Sequence, residues 1–222
     1  RQAGRTGHGA VWGSKKLKAV SVRGTYGVTV ADPDKLLQMS FDITESAQGP
    51  HTEKYRVYGT STNMLNMNKL GLLPTRNYQE GVFEFAELVS GEYLDEHHKV
   101  KVIACAQCPI ACEQMSMVKK GPFAGSMTGI EYECLQAVSS NCGIDDMTAA
   151  IRLVDLADRS GMDAMSMGVT LSYAMECYER GVLTQEDFKC DTAPEGIELN
   201  FGNGPGAVIL AGTPLGMLNY YS

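Results

Sequence analysis

Asp145-Asp146-Met147-Thr148-Ala149-Ala150-Ile151-Arg152-Leu153-Val154-Asp155-Leu156-Ala157-Asp158-Arg159-Ser160-Gly161 reads as a helix marked along its length. Met147, Ile151, Val154 and Leu156 supply an apolar stripe, and Gly161 stands where a C-terminal glycine cap belongs. Working outward, Ser166 to Arg180 is a second helix, stopped by Gly181. Glu131 to Ser139 reads as a short helix, and a longer one is expected from about His51 into Met67. Asp32-Pro33 is a helix start, an N-cap followed by proline at the first helical position. Leu36, Leu37, Met39 and Ile43 follow at helical spacing. Thr184 to Asp187 resembles a capping box. Asn68 to Gly81 and Lys119 to Gly129 are loops, and Gly91 to Lys101 is a charged, exposed stretch. Strand signal is confined to the start, where Leu17 to Arg23 alternates before Gly24. The glycines at 4, 7, 9 and 13 argue against regular helix there. The expected class is α+β, a β-containing start and a mostly helical body.

The 222 residues are 44% apolar with a net charge of -7. That apolar share excludes wholesale disorder, and the acidity argues against a nucleic-acid footprint. No apolar run reaches the roughly 18 residues of a membrane-spanning helix. Seven cysteines and twelve methionines fit a reducing, cytoplasmic setting better than a disulfide scaffold. The chain opens on Arg1, already inside a motif, and is read as an internal stretch of a longer protein. Alone, such a stretch is expected to be marginally stable.

Cys105-Ala106-Gln107-Cys108-Pro109-Ile110-Ala111-Cys112 has the spacing C-x2-C-x3-C. Three thiolates in so short a loop suit a [4Fe–4S] cluster, whose fourth cysteine often comes from far away. A zinc site uses the same half-motif but normally brings a second Cys or His pair at short range. Cys134 and Cys142 lie eight positions apart with no His beside them, so the spacing ranks iron–sulfur above zinc. From spacing alone the fourth ligand could be Cys134, Cys142, Cys177 or Cys190, or could lie in a C-terminal part of the longer protein expected beyond this chain. Three buried cysteines that bind nothing are the plain alternative. The glycine-dense opening, with Arg1 and Arg5, is either an anion cradle of backbone N–H and guanidinium groups or an ordinary turn with solvated arginines.

Taken together, these segments resemble one family. The run Arg1-Gln2-Ala3-Gly4-Arg5-Thr6-Gly7-His8-Gly9-Ala10-Val11-Trp12-Gly13-Ser14-Lys15 is similar to the pterin-binding segment of tungsten-dependent aldehyde:ferredoxin oxidoreductases. Gly71-Leu72-Leu73-Pro74-Thr75-Arg76-Asn77-Tyr78-Gln79-Glu80-Gly81 resembles a signature of that family. The three cysteines, Glu131-Tyr132-Glu133 and Asp158-Arg159-Ser160-Gly161-Met162-Asp163 follow in the family's order.

The resemblance implies the following. Residues 1–25 would end a β pterin-binding base domain, and 26–222 would form part of a helical domain carrying the iron–sulfur loop. The cofactors would be a [4Fe–4S] cluster on Cys105, Cys108 and Cys112 and a tungsten or molybdenum bis-pterin. Arg1, Gln2, Gly4, Arg5, Asp158, Met162 and Asp163 fall on pterin-contact positions; Gln2 departs from a usually small residue. Asp158 and Asp163, read without the family, are a helix end and the following cap. The active-site carboxylate would be Glu133, or Glu131; unaided, both would read as dipole partners of a helix start. The fourth cluster cysteine and the catalytic histidine would lie downstream, leaving Cys134, Cys142, Cys177 and Cys190 as small buried residues. His8, His51, His97 and His98 have no assigned role. The implied activity is oxidation of a small aldehyde to its acid, with electrons passed to ferredoxin or an electron-transfer subunit in a homo- or hetero-oligomer. An aromatic-acid reductase of the benzoyl-CoA type and a non-catalytic iron–sulfur or zinc module are the alternatives.

Overall fold

The computed structural model describes residues 8–188 and 198–211. Its helices are α1 (His8–Ser14), α2 (Pro33–Gln48), α3 (Glu53–Tyr58), α4 (Asn63–Lys69), α5 (Gly91–His97), α6 (Tyr132–Val138), α7 (Met147–Ser160), α8 (Ala164–Glu179) and α9 (Gly204–Ala211). Strands β1 (Lys99–Ile103), β2 (Glu113–Met117) and β3 (Met127–Ile130) form an antiparallel sheet in that order. The class is α+β, but the β structure does not sit where the alternation at 17–23 placed it.

Leu17 to Arg23 carries no strand, because among the described residues no other strand lies beside it to complete its hydrogen bonds. The glycine-rich opening is also different: His8–Ser14 is helical, ended by Lys16 in the left-handed region at φ 59°. Glycine weakens a helix by about 1 kcal/mol per residue, which disfavours a short one without forbidding it. The expected single helix from 51 to 67 is two, because Gly59 at φ 63°, ψ -166° breaks it. The charged stretch 91–101 is α5 followed by β1, with Leu94 buried.

The helical expectations elsewhere hold. Asp32 caps α2, accepting from the Lys35 N–H at 3.0 Å, with Pro33 behind it. In α7 the Asp146 side chain accepts from the Thr148 N–H, and Gly161 at φ 68° closes the other end. Met147, Ile151 and Val154 are buried as the stripe requires. Asp163 caps α8.

The core lies between α6, α7 and α8, with α9 and β3 against α7. Leu135, Val138, Leu153, Leu171 and Met175 fill it. Gly168 permits the crossing of α8 on α6: a Cβ there would lie 2.5 Å from the Ala137 carbonyl carbon and oxygen. Backbone cannot yield that far, so Gly168→Ala should destabilise the fold by about 2–3 kcal/mol. A denaturant midpoint equal to wild type would contradict this packing. By contrast, α2 buries none of its side chains and exposes Leu36, Leu37, Met39, Phe41 and Ile43. Among the described residues no helix is long and apolar enough to cross a membrane.

Candidate iron–sulfur and carboxylate site

The hairpin between β1 and β2 is the cysteine loop. Its base is fixed where Ile103 pairs with Glu113. The Cys108 N–H donates to the Cys105 carbonyl at 3.0 Å, and Gln107 and Ala111 take left-handed φ of 61° and 55°. From α2, the Gln48 amide donates to the Pro109 carbonyl at 2.6 Å. Cys105 is exposed, Cys108 and Cys112 are half-buried, and all three are free thiols. Burial raises the Cys112 thiol first, and the charges of Glu131, Cys108 and Cys105 add to it. The three sulfurs therefore share one neighbourhood with Glu131. Among the described residues no three His, Cys, Asp or Glu side chains are placed to share a single metal ion. The donor set, three thiols in one kinked loop with an open side at Cys105, fits a cluster ligated at separate corners.

The sheet delivers the carboxylates to this loop. Gln114, two residues after Cys112, pairs with Ile130, so Glu131 leaves β3 beside the hairpin base. Glu131 then caps α6 in extended backbone, and Glu133 lies in its first turn. Burial raises the Glu131 carboxyl, and the charges of Glu133 and Glu113 raise it further. The Tyr132 N–H donates to the Thr60 hydroxyl oxygen at 3.0 Å. Burial, then the charge of Glu133 and the nearby Tyr78, raise the Tyr132 phenol.

Cys134 has a local task instead of being mere filler. Its sulfur accepts from the Glu131 N–H at 3.4 Å and donates to the Glu131 carbonyl at 3.2 Å. Burial pushes this thiol up to about 12, with Glu131 and Asp158 adding. Burial alone carries Cys142 well above the ordinary thiol range. Unfolded thiols release their protons near pH ~8.5. The folded state thus holds more protons above that, and stability falls as pH rises from about 9 toward 12. In Cys134→Ala the alkaline fall of the melting temperature should be shallower; an identical slope would refute the assignment.

The pterin-contact candidates divide. Arg1, Gln2, Gly4 and Arg5, like Cys190, lie outside the described residues. Asp158 is exposed at the end of α7 and accepts from the Thr128 hydroxyl at 2.5 Å. Met162 is buried, and its N–H donates to the Ala157 carbonyl at 2.8 Å. Asp163 accepts from the Met165 N–H at 3.1 Å and the Ser166 hydroxyl at 2.6 Å.

Two features escaped the sequence. Arg76, Asn77 and Tyr78 are three consecutive left-handed residues at φ 46°, 54° and 61°. Their N–H groups bind the Ser140 carbonyl (3.1 Å), the Asn141 carbonyl (2.8 Å) and Asn141 Oδ1 (3.1 Å). Arg76 is paired with Glu80 and Glu84. The other is the Gly59–Thr60 turn against Cys112, where only the glycine could have given a signal.

Comparison with known proteins adds to this geometry. The family described as aldehyde ferredoxin oxidoreductase, domains 2 & 3, matches residues 39–212. The chain is 40% identical over 208 residues to a tungsten-containing aldehyde ferredoxin oxidoreductase of Pyrococcus abyssi, covering 91% of this chain and 33% of that protein. It is 41% identical over 189 residues to the protein of that name from Thermococcus kodakarensis, covering 84% of this chain and 31% of the relative. The chain thus spans about a third of the length of these curated relatives. The active site complex BamBC of benzoyl coenzyme A reductase, solved with 1,5-dienoyl-CoA, shares the fold: TM-score 0.61 at 20% identity, covering 96% of this chain and 35% of that one.

Proposed function

The chain belongs to the aldehyde ferredoxin oxidoreductase family, and on that premise we propose that it takes part in oxidising aldehydes to carboxylic acids. The observation that carries this reading is the joining of three thiols and two carboxylates by one small sheet: Cys112 precedes β2, and Glu131 leaves the strand paired with it. Cys105, Cys108 and Cys112 would hold a [4Fe–4S] cluster. Arg1, Gln2, Gly4 and Arg5 would grip a pterin phosphate, and Asp158, Met162 and Asp163 would lie along the rest of the pterin, the two carboxylates receiving its polar edge. When bound, the tungsten or molybdenum bis-pterin supplies the two-electron acceptor, and the cluster supplies a one-electron outlet to ferredoxin or an electron-transfer subunit.

In the net reaction the aldehyde C–H bond breaks, a water oxygen forms the new C–O bond, and two protons and two electrons leave. Glu133 takes the proton from the water. Glu131 faces the cysteine loop and sets the field there, since its charge acts on both Cys112 and Cys134. The free thiols support a reducing, cytoplasmic setting.

The test is turnover by the holoenzyme with acetaldehyde or benzaldehyde and an oxidised viologen dye, set beside an aromatic thioester with the dye supplied reduced as electron donor. Dye reduction with aldehydes supports the reading. Reaction with the thioester alone would instead favour an aromatic-acid reductase, and activity in protein free of tungsten and molybdenum would reject the metal–pterin chemistry.

A further inference from the structure

Cys112 and α6 are connected twice. The first connection is the β2–β3 pairing, Gln114 opposite Ile130. That connection sets a distance, and the body of α6 is held by its packing on α7 and α8, but neither contact satisfies the backbone N–H groups of its first turn. The second connection runs through a distant part of the chain. Gly59 is buried, with φ 63° and ψ -166°. That conformation is open to glycine and strongly disfavoured for residues with a side chain. A Cβ at Gly59 would lie 2.5 Å from the Cys112 carbonyl oxygen and 2.6 Å from Gln114 Cγ. The turn therefore rests directly on the backbone of a thiol ligand candidate. Gln114, fully buried, donates its amide to the same Cys112 carbonyl at 3.3 Å. One residue on, Thr60 accepts the Tyr132 N–H at 3.0 Å, across 72 positions of sequence. That N–H is at the first helical position, where no intrahelical acceptor exists.

The turn cannot retreat. Behind it Gly91 packs so closely that a Cβ there would lie 2.7 Å from the Thr62 nitrogen and 2.8 Å from the Ser61 carbonyl carbon. The turn is packed between α5 and the cysteine loop, in close contact with both.

We infer that the Gly59–Thr60 turn fixes the orientation of the carboxylate helix relative to the cysteine loop, with Thr60 as a positioning residue for Glu133. The inference rests on the catalytic reading of Glu133 given above. It assigns Thr60 no contact with substrate or cofactor. Its hydroxyl acts through the Tyr132 N–H, and Glu133 is the next residue but one after Glu131, on the same first turn.

Thr60→Val removes the acceptor and keeps the shape, while Thr60→Ser keeps the acceptor and removes a methyl. In the holoenzyme with acetaldehyde and a viologen dye, Thr60→Val should lower kcat by roughly ten- to a hundredfold. Its pH–kcat profile should shift on the acid side, with KM changed by no more than about twofold. Amide hydrogen exchange at the start of α6 should quicken in the same variant. Thr60→Ser should restore all three properties. Wild-type kcat, pH profile and exchange in Thr60→Val, or equal impairment in Thr60→Ser, would overturn the inference. Glu133→Gln, run alongside, separates the two levels. If its turnover collapses while Thr60→Val is unaffected, the positioning role alone fails; if Glu133→Gln turns over normally, the catalytic reading fails and the positioning role with it.

Discussion

Cys108→Ser in the holoenzyme is expected to abolish the iron–sulfur signal and dye-linked aldehyde oxidation together. A serine hydroxyl does not ionise at neutral pH and replaces a thiolate ligand poorly. Cys108 is the middle thiol of the loop, with its N–H on the Cys105 carbonyl. The fold should survive, because the hairpin is held at its base by the Ile103–Glu113 pair and from outside by Gln48. Cys177→Ser is the matched control. That half-buried thiol stands on α8, and the resemblance gives it no role. It should leave iron and sulfide at wild-type levels. A Cys108→Ser protein that keeps its full iron content would remove the loop from cluster binding.

Glu133→Gln should lower kcat by about 10²–10⁴-fold, the span that a positioned general base contributes. Glutamine keeps the size and the first-turn position but cannot accept the proton. Glu131→Gln should behave differently. Its carboxyl is already raised by burial and by the charges of Glu133 and Glu113. Neutralising it removes a charge that raises Cys134, so that thiol should titrate at lower pH. If Glu131→Gln gives the larger loss of kcat, the two carboxylates exchange roles.

The parts that local chemistry dictates were legible in the sequence. Asp32-Pro33, the α7 stripe and Gly161 each act within one or two turns, and each does what its residue type requires. The C-x2-C-x3-C spacing marked the hairpin between β1 and β2 as a candidate ligand loop, because three thiols within eight residues must lie near one another. Sheet placement was less legible. The alternation at 17–23 has no partner strand among the described residues, while Lys99-Val100-Lys101-Val102 alternates within a charged stretch and is β1. A strand is defined by its neighbour, and one segment cannot announce that. The left-handed run at Arg76–Tyr78 was invisible for a related reason. No glycine marks it, and it persists through carbonyl and amide acceptors at Ser140 and Asn141. Thr60 likewise reads as an ordinary threonine until the chain returns 72 residues later to present Tyr132.

The most direct measurement is iron and acid-labile sulfide content, with an EPR spectrum of the reduced state, on the intact protein purified without air. About four irons and four sulfides per polypeptide, with a signal lost in Cys105, Cys108 and Cys112 variants, is the predicted result. A colourless protein without iron, or one carrying zinc on those thiols, would contradict it.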